Sequence, residues 1–203
     1  MKKELASFGL EMDVSVKKKN IDTSVQSAFL KMNTIQLYLA IKDEEKSKKI
    51  NHNAKVQIKL EIDTDPPPHY RVENQLVLNP VSFYVLTLHK SDLFAGKTHA
   101  ALYRAWKSRI KGHDWYDIIW YITNKIPLSL TYLASCMRQA GNLEQDEILD
   151  CKLLLTRLHE RIDTIDWDSA KSDMDAFISD PERLAIWSRE YFHALIEKLL
   201  VES

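Results

Sequence analysis

The sequence predicts an α+β fold in which strands occupy the first part of the chain and helices the second. Apolar residues recur mostly at every second position before residue 90, and with a period of about 3.6 from Ser91 onward. Only four of the 203 residues are glycine, which is few for tight hairpins or for glycine-rich phosphate loops. Because strands followed by helices are typical of α+β proteins, we expect a sheet-forming segment and then a helical one.

The predicted strands follow from alternating apolar and polar residues. The alternation covers residues 11–16, 35–41 and 56–63, and strand character returns around residues 83–85. The second of these strands is expected over residues 28–41, where the alternation is clear only from residue 35 on. The charged stretches between these segments are expected to form exposed turns. Three prolines follow Asp65, and proline has no backbone N–H to donate to a ladder, so the third strand is expected to end near residue 63.

The predicted helices follow from helical spacing of the apolar residues and from capping residues. They span residues 91–109, 114–124, 143–165 and 181–200, and a further helix begins at Pro127. Ser91 or Asp92 is expected to cap the first helix, because such side chains accept hydrogen bonds from free backbone N–H groups. Ser179 or Asp180 is expected to cap the last helix for the same reason.

Two domains are predicted from this order of elements. A core domain is expected over residues 1–126, and a helical C-terminal subdomain over residues 127–203. No low-complexity linker is visible between them, so the boundary is placed where Pro127 can start a new helix.

The composition is that of an ordinary globular protein, with 45% hydrophobic and 28% charged residues. The net charge of −1 gives no overall attraction to nucleic acids or anionic membranes. Cys136 and Cys151 lack metal-type spacing and are expected to be free thiols in a reducing compartment. No signal peptide is recognised, and no apolar run approaches the about 20 residues of a membrane span, so we expect a cytoplasmic protein.

The third predicted strand carries the first group of residues that could take part in chemistry. Lys59, Glu61 and Asp63 share one face, because residues two apart on a strand point to the same side. Two carboxylates about 7 Å apart can help to hold a divalent metal ion. The same alternation is also typical of the solvated face of an antiparallel sheet, and this reading is left open.

The first predicted helix carries a lysine and an arginine on one face. Lys97 and Arg104 are seven residues apart, with the small residues Ala100 and Ala101 between them. Small residues let a ligand or another backbone come close, and a lysine can bind phosphate as a point charge. Gly96 is unfavourable inside a helix, which indicates a packing or functional reason for it. The alternative is an exposed surface lysine.

The second predicted helix places acidic residues beside aromatic ones. Asp114, Asp117 and Tyr121 fall on one helical face. Asp114 also suits a plain capping role at the start of the helix. An acidic side chain such as Asp117 among apolar neighbours needs a partner, and Lys97 or Arg104 could provide it.

Together these segments resemble the AbiEii/AbiGii family of nucleotidyltransferase toxins, part of the DNA polymerase beta-like nucleotidyltransferase superfamily. The motifs are the strand at 59–63 followed by prolines, the run Leu-Phe-Ala-Gly-Lys-Thr-His-Ala at 93–100, and Gly-His-Asp-Trp-Tyr-Asp at 112–117. Residues 180–192 are similar to the end of the family's helical region. The resemblance implies a partial nucleotidyltransferase-like mixed sheet followed by a helical bundle.

The resemblance also implies roles for individual residues. Asp63, or Glu61 beside it, matches the family's third acidic position, and both would help to hold Mg²⁺. Lys97 matches the lysine that contacts the phosphates of an NTP. Asp114 in the first place, and Asp117 after it, match the acidic motif on the next helix, which supports this lysine. The catalytic residues implied are Asp63, Lys97 and Asp114, and the nucleotide-binding residues are Lys97, Arg104 and Asp117. His113 stands where the family more often has a basic residue.

The function implied is transfer of a nucleotide from an NTP to an acceptor such as the 3′ end of a tRNA. The protein would be a bacterial toxin of a toxin–antitoxin or abortive-infection system, with an antitoxin protein as partner. The sequence has no Gly-Gly or Gly-Ser turn followed by Asp-x-Asp near its start, the motif that supplies the family's main metal ligands. We therefore expect this chain to be inactive on its own.

Two other functions are considered from the same residues. The chain could be a non-catalytic module that binds a nucleotide or a protein. It could also be a metal-dependent nuclease that uses Glu61, Asp63 and Lys97. An incomplete sheet would expose an edge or an apolar face, so a homodimer is a further expectation.

Overall fold

The computed structural model describes residues 12–17, 34–41, 56–79, 81–104, 111–175, 177–178 and 182–203. These residues form strands first and, from residue 90 on, mainly helices, seven in number, which confirms the predicted α+β class. They divide into two compact units, one reaching to Pro66 and the other covering nearly all of the chain from Pro67 onward. The predicted boundary near residue 126 stays a prediction.

The first unit contains a three-stranded antiparallel sheet in the order β1-β2-β3. Its strands are β1 (Met12–Lys17), β2 (Thr34–Ile41) and β3 (Val56–Asp63). The register pairs Met12 with Ile41 and Leu37 with Leu60, so the three strands lie side by side over most of their length. The strands predicted from alternation are therefore confirmed where they are described, and residues 28–33 lie outside the described part.

The second unit begins with an antiparallel hairpin of β4 (Val72–Val77) and β5 (Phe83–Leu88). Strand β5 was expected, but β4 was not, because its apolar residues do not alternate cleanly with polar ones. Tyr84 and Leu86 are exposed on the hairpin. The backbone N–H of His89 then donates to the Arg71 carbonyl oxygen at 2.9 Å, which closes the hairpin just before the first helix.

Seven helices and a short parallel strand pair follow among the described residues. The helices are α1 (Lys90–Tyr103), α2 (Gly112–Thr123), α3 (Leu130–Gln139), α4 (Cys151–Asp163), α5 (Trp167–Met174), α6 (Glu182–Ala185) and α7 (Arg189–Ile196). The parallel pair is β6 (Leu128–Ser129) and β7 (Val201–Glu202). No helix in these described ranges combines the length and the apolarity that crossing a bilayer requires.

Several predicted helix ends differ from the structure. Helix α1 is not capped by Ser91 or Asp92; its N-cap is His89, and Asp92 lies in the first turn. Helix α4 begins at Cys151 rather than near residue 143, because the Asp150 side chain accepts the Leu153 N–H at 2.7 Å and caps it there. The helix expected to begin at Pro127 is α3, which begins only at Leu130, because the Ser129 side chain accepts the Tyr132 N–H at 3.2 Å and caps it there. The predicted end at residue 109 and the predicted caps Ser179 and Asp180 fall in residues 105–110 and 179–181, which lie outside the described part of the chain.

The single helix predicted over residues 181–200 is wrong. Helix α6 ends at Ala185 and α7 begins at Arg189. Ser188 has an extended backbone, and its side chain accepts the Tyr191 N–H at 3.1 Å, so it starts a new helix. Helical spacing of apolar residues continues through this break, which is why the periodicity did not indicate it.

An aromatic cluster around Phe192 joins three helices of the second unit. Phe192 of α7 stacks on Trp167 of α5, with ring centroids 4.0 Å apart. Trp115 of α2 meets Phe192 edge-on at 5.3 Å, and Trp187 does so at 5.4 Å. All four side chains are buried, and such aromatic pairs contribute about 0.5–1.5 kcal/mol each beyond their buried area. The cluster thus fixes α2 against α5 and α7.

Gly112 allows the start of α2 to approach α5 closely. A Cβ atom at this position would collide with the Ala170 carbonyl oxygen and would lie 2.7 Å from Met174 Cγ. Gly96, in the middle of α1, has no atom within 4 Å of the place where a Cβ would lie. The packing role inferred from sequence for a helical glycine therefore applies to Gly112, whereas Gly96 borders open space.

A buried ion pair holds the start of α1. The Asp92 carboxylate has no exposed surface and receives three hydrogen bonds from Arg71, the shortest two at 2.6 Å from the backbone N–H and from Nη2. Nη2 of Arg71 also donates to Glu202 Oε1 in β7 at 2.6 Å. Three segments that are far apart in sequence therefore meet at one guanidinium group.

The two glycines provide a matched pair of substitutions. Gly112→Ala is expected to lower the free energy of unfolding by about 1–3 kcal/mol, because the new methyl group overlaps backbone atoms of α5. Gly96→Ala is expected to raise it by about 1 kcal/mol, because alanine favours the helix and no atom obstructs it. Urea unfolding followed by circular dichroism measures both. Equal effects at the two positions would contradict this packing.

Replacement of Arg71 is expected to lower the free energy of unfolding, by an amount that depends on pH. Arg71→Ala leaves a fully buried carboxylate without its cation and should lower the free energy of unfolding by about 3 kcal/mol, the low end for buried pairs because Arg71 is 45% exposed. Burial alone would raise the pKa of Asp92, but its hydrogen bonds with Arg71 and the charge of Arg71 outweigh this and lower it.

The sign of the pH effect follows from that lowered pKa. The stabilisation by Asp92 is complete above the ordinary aspartate pKa of about 3.9, and it is lost as the pH falls below this value toward the folded-state pKa. Unfolding curves measured between neutral pH and pH 3 should therefore converge for the wild type and Arg71→Ala. A constant difference over this range would contradict the assignment. Glu202→Ala, which leaves the Asp92 pair in place, is the control with the smaller expected loss.

Candidate functional site

Helices α1 and α2 carry the predicted site residues of the second unit, and the two helices pack directly against each other. Phe94 of α1 stacks on Tyr121 of α2, with ring centroids 4.6 Å apart and planes 6° from parallel. One turn away from this buried contact, Lys97 and Asp117 face each other from the same two helices. The apolar contact therefore sets the spacing of the charged residues.

Lys97 and Asp117 form an ion pair at the surface. The Lys97 Nζ lies 2.6 Å from Asp117 Oδ2, and the side chains are 43% and 32% exposed. The partner expected for Asp117 is therefore present. An exposed pair of this kind contributes only about 0–1 kcal/mol to stability, so the ammonium group can exchange this partner for a ligand at little cost.

The Lys97 side of α1 is open, whereas the side with small residues is covered. Beside Lys97, Gly96 leaves free space, as described above. Ala100 and Ala101 are buried, and Arg161 Nε of α4 donates to the Ala101 carbonyl oxygen at 3.2 Å. The close approach expected at the two alanines is thus made by another part of the protein.

Asp114 differs from Asp117 because it is almost fully buried. Its residue exposure is 4%, and its carboxylate oxygens lie 3.5 Å from Arg104 Nη1 and 3.5 Å from His113 Nε2. His113 Nδ1 in turn lies 3.6 Å from the Asp173 carboxylate. Arg104, seven residues after Lys97, is therefore anchored near the end of α1. No sequence pattern connects Asp173 to this group, because it comes from α5, far along the chain.

Burial shifts the pKa of one ring on each of these two helices, Tyr121 on α2 and His99 on α1. Burial raises the pKa of Tyr121, and the nearby Asp117 carboxylate adds to this rise, so the phenol stays neutral at physiological pH. Burial lowers the pKa of His99, and its hydrogen bond with Asn142 at 3.3 Å opposes this only in part. His99 is 6% exposed, so it is a packed histidine rather than a surface one.

The two cysteines lie outside this group of charged residues. Both are free thiols, Cys136 buried and Cys151 partly exposed. Burial raises the pKa of Cys136 to about 11, so it carries no thiolate at neutral pH. The expectation of free thiols is confirmed.

The predicted acidic residues of β3 belong to the first unit. Asp63 is exposed at the end of the strand, and its Oδ1 accepts the Asp65 N–H at 3.3 Å. Glu61 lies on β3, opposite Gln36 in the register, and its side chain is outside the described part. The described residues contain no group of three or more His, Cys, Asp or Glu side chains that could hold a metal ion. The roles of Glu61 and Asp63 as Mg²⁺ ligands therefore stay predictions.

The helices α1 and α2, with their charged pairs, fall in a region of sequence that a known family shares. A family model described as nucleotidyl transferase AbiEii toxin, type IV TA system, matches residues 4–196. The chain belongs to this family. The AbiEii match spans both structural units and includes the three motifs at 59–63, 93–100 and 112–117. No curated protein and no solved structure matches the chain significantly.

Membership of the AbiEii family gives the chain its general function. It is a nucleotidyl transferase toxin of a type IV toxin–antitoxin system. The structure adds the arrangement of the two helical motifs: Lys97 is paired with Asp117 at the surface, while Arg104 is held by the buried Asp114. The two aspartates of the Asp-x-x-Asp motif therefore lie in different environments.

Because the two aspartates lie in different environments, their removal is expected to lower the free energy of unfolding by different amounts. Asp114→Ala is expected to lower the free energy of unfolding by about 1–2 kcal/mol, because it removes a buried carboxylate from the first turn of α2 and leaves Arg104 and His113 without this partner. Asp117→Ala is expected to change it by less than about 1 kcal/mol, because the pair with Lys97 is exposed. Thermal and urea unfolding of both variants test this. A larger loss for Asp117→Ala would contradict the assigned environments.

Proposed function

We propose that this chain binds an NTP through Lys97 and transfers a nucleotide from it to an acceptor such as the 3′ end of a tRNA. The observation that carries the proposal is the exposed Lys97–Asp117 ion pair, at 2.6 Å, on two helices that hold the family's motifs. The pair holds an ammonium group at a fixed, accessible place. Phosphate oxygens can then replace or share the carboxylate as its partner.

The surroundings of Lys97 support binding of a triphosphate. Gly96 leaves the adjacent surface open. Arg104 lies two turns further along α1, where Asp114 fixes its guanidinium group at 3.5 Å. A triphosphate carries several negative charges, so a second cation on the same helix face suits its length. In this arrangement Lys97 and Arg104 orient the phosphates, and Asp117 orients Lys97.

The chemical step proposed is attack of an acceptor hydroxyl on the α-phosphorus of the NTP. The acceptor hydroxyl loses its proton to solvent as its oxygen forms a bond to the α-phosphorus. The bond between the α-phosphorus and the bridging oxygen to the β-phosphate breaks, and pyrophosphate leaves with the electron pair of that bond. Transfers of this kind depend on positioning and on neutralising the phosphates. Mg²⁺ is proposed as the ion that supplies this neutralisation, on the basis of the family alone, and Glu61 and Asp63 are its proposed ligands.

The remaining features of the proposal follow from the family and from the sequence. An antitoxin is the proposed partner, and the cytoplasm is the proposed location. A homodimer stays a prediction. The expectation that the isolated chain is inactive opposes the proposed transfer, and the labelling experiment below decides between the two. The experiments below separate nucleotide binding from nucleotide transfer, because a non-catalytic binding module would show only the first.

Nucleotide binding is expected to stabilise the protein in a way that needs Lys97. At an NTP concentration about 100 times the dissociation constant, binding adds about 2.7 kcal/mol to the free energy of unfolding. For a protein of this size, this corresponds to a rise in Tm of about 5–10 °C. Thermal-shift titrations with each NTP, with and without Mg²⁺, measure this rise in the wild type and in Lys97→Ala, where it should vanish.

Two control variants make the result specific to Lys97. Lys90→Ala removes an exposed lysine from the start of the same helix and should leave the NTP-dependent rise in Tm unchanged. Lys97→Arg keeps the charge and should retain part of the rise. If Lys97→Ala and Lys90→Ala respond equally to every NTP, the assignment of Lys97 is wrong.

Transfer is tested separately with an α-³²P-labelled NTP and a tRNA pool. Label on the tRNA that is lost in Lys97→Ala would support the proposed transferase. Stabilisation by an NTP without any labelled product, under the same ionic conditions, would support the non-catalytic binding module.

A further inference from the structure

Two histidines from different helices meet at the surface of the second unit, in a group that the nucleotide site does not use. His159 of α4 and His193 of α7 have their Nδ1 atoms 2.6 Å apart, and their ring planes are 22° from parallel with centroids 4.8 Å apart, so the two rings meet edge to edge through these nitrogens. The side chains are 36% and 28% exposed, so solvent and small ions can reach them. They are 34 residues apart in sequence, so no local spacing motif indicates the pair.

Each histidine is held from its outer side by a carboxylate. Nε2 of His159 lies 2.9 Å from Glu197 Oε1, and Nε2 of His193 lies 3.0 Å from Asp163 Oδ1. An ionised carboxylate only accepts hydrogen bonds, so both Nε2 atoms must carry the proton. Both Nδ1 atoms, which face each other, are then left with lone pairs.

Two lone pairs at this distance require a positive species between them. A single proton can bridge them, and this matches the observed 2.6 Å. A divalent metal ion bound to both Nδ1 atoms, at about 2.0–2.1 Å from each, needs them somewhat further apart. Small rotations of two partly exposed rings provide this opening. A carboxylate on the far nitrogen of a ligating histidine is also the usual arrangement around a metal-bound imidazole.

We propose that His159 and His193 form a two-histidine site for a borderline transition-metal ion such as Zn²⁺, with Nδ1 of each ring as ligand. Glu197 and Asp163 orient the rings, and water completes the coordination. The local charge favours a cation, because these two carboxylates are balanced by only one arginine in the contacts described, Arg189, whose Nε lies 3.0 Å from Asp163 Oδ1. On binding, the metal takes the place of the bridging proton, which is released to solvent.

The bound ion would connect α4 to α7. Helix α7 carries Phe192, the centre of the aromatic cluster that also holds α2. The site is therefore structural, and its role is to strengthen the helical unit. It does not rest on the proposed nucleotide transfer, since Lys97 and Asp117 are absent from it.

Binding is tested with ZnCl₂ as the probe on the whole chain. Isothermal titration calorimetry should give one Zn²⁺ per chain, and Tm should rise with the concentration of Zn²⁺. Both effects should weaken as the pH falls, because the ligands must be free of protons. In ¹H–¹⁵N correlation spectra of the imidazoles, Zn²⁺ should shift the Nδ1 resonances of His159 and His193 while their Nε2 atoms keep their protons.

Variants decide whether this pair is the binding site. His159→Gln and His193→Gln should each abolish the stoichiometric binding and the rise in Tm, and circular dichroism verifies that they fold. His69→Gln removes an exposed histidine outside the pair and should leave binding unchanged. Glu197→Ala, at an exposed position, should weaken binding without abolishing it.

Two results would overturn the proposal. One is Zn²⁺ binding that persists in both His159→Gln and His193→Gln, which would place the ion elsewhere. The other is a wild-type protein whose Tm responds to pH but not to Zn²⁺, which would make a proton the sole occupant of the pair.

Discussion

The ion pair between Arg71 and the buried Asp92 is the constraint on which the second unit depends. A carboxylate without exposed surface needs a cation within hydrogen-bonding distance, and Arg71 supplies it from the residue just before the hairpin. The same guanidinium group reaches Glu202 in β7. Because Asp92 lies in the first turn of α1, this contact sets where α1 begins relative to the hairpin and to β7. Lys97 lies less than two turns further along the helix, so its position follows from the same contact.

Helix α2 is positioned by different means, through packing rather than charge. Gly112 lets its first turn lie against α5, and Trp115 enters the aromatic cluster around Phe192. These two contacts leave Asp114 buried beside Arg104 and turn Asp117 outward to Lys97. A motif with two aspartates three residues apart thus produces one carboxylate that holds the fold and one that is available at the surface. Sequence spacing alone does not separate these roles, because both fall on one helical face.

The sequence indicates the elements whose signal is local. Alternation predicts β1 to β3 and periodicity predicts most helices, because each pattern reflects one buried face. The break before Arg189 is not predicted, since a serine cap interrupts the helix without interrupting the helical spacing of the apolar residues. The Lys97–Asp117 contact could be expected because both residues lie in recognisable motifs. The contact of Arg71 with Asp92 could not be expected from the sequence, because nothing in the composition of either segment relates the two residues. The contact between His159 and His193 is not predicted from the sequence for the same reason.

The hydrogen bond from Arg71 to Glu202 spans 131 residues of sequence, and this separation affects the order of folding. Closing so long a loop costs entropy before the contact returns any stability, so the contact forms late. Until then the Arg71 guanidinium group lacks the second of its two carboxylate partners. Single-domain chains dominated by such distant contacts fold slowly. The joining of β7 to the start of α1 should accordingly be among the last events in the folding of the second unit.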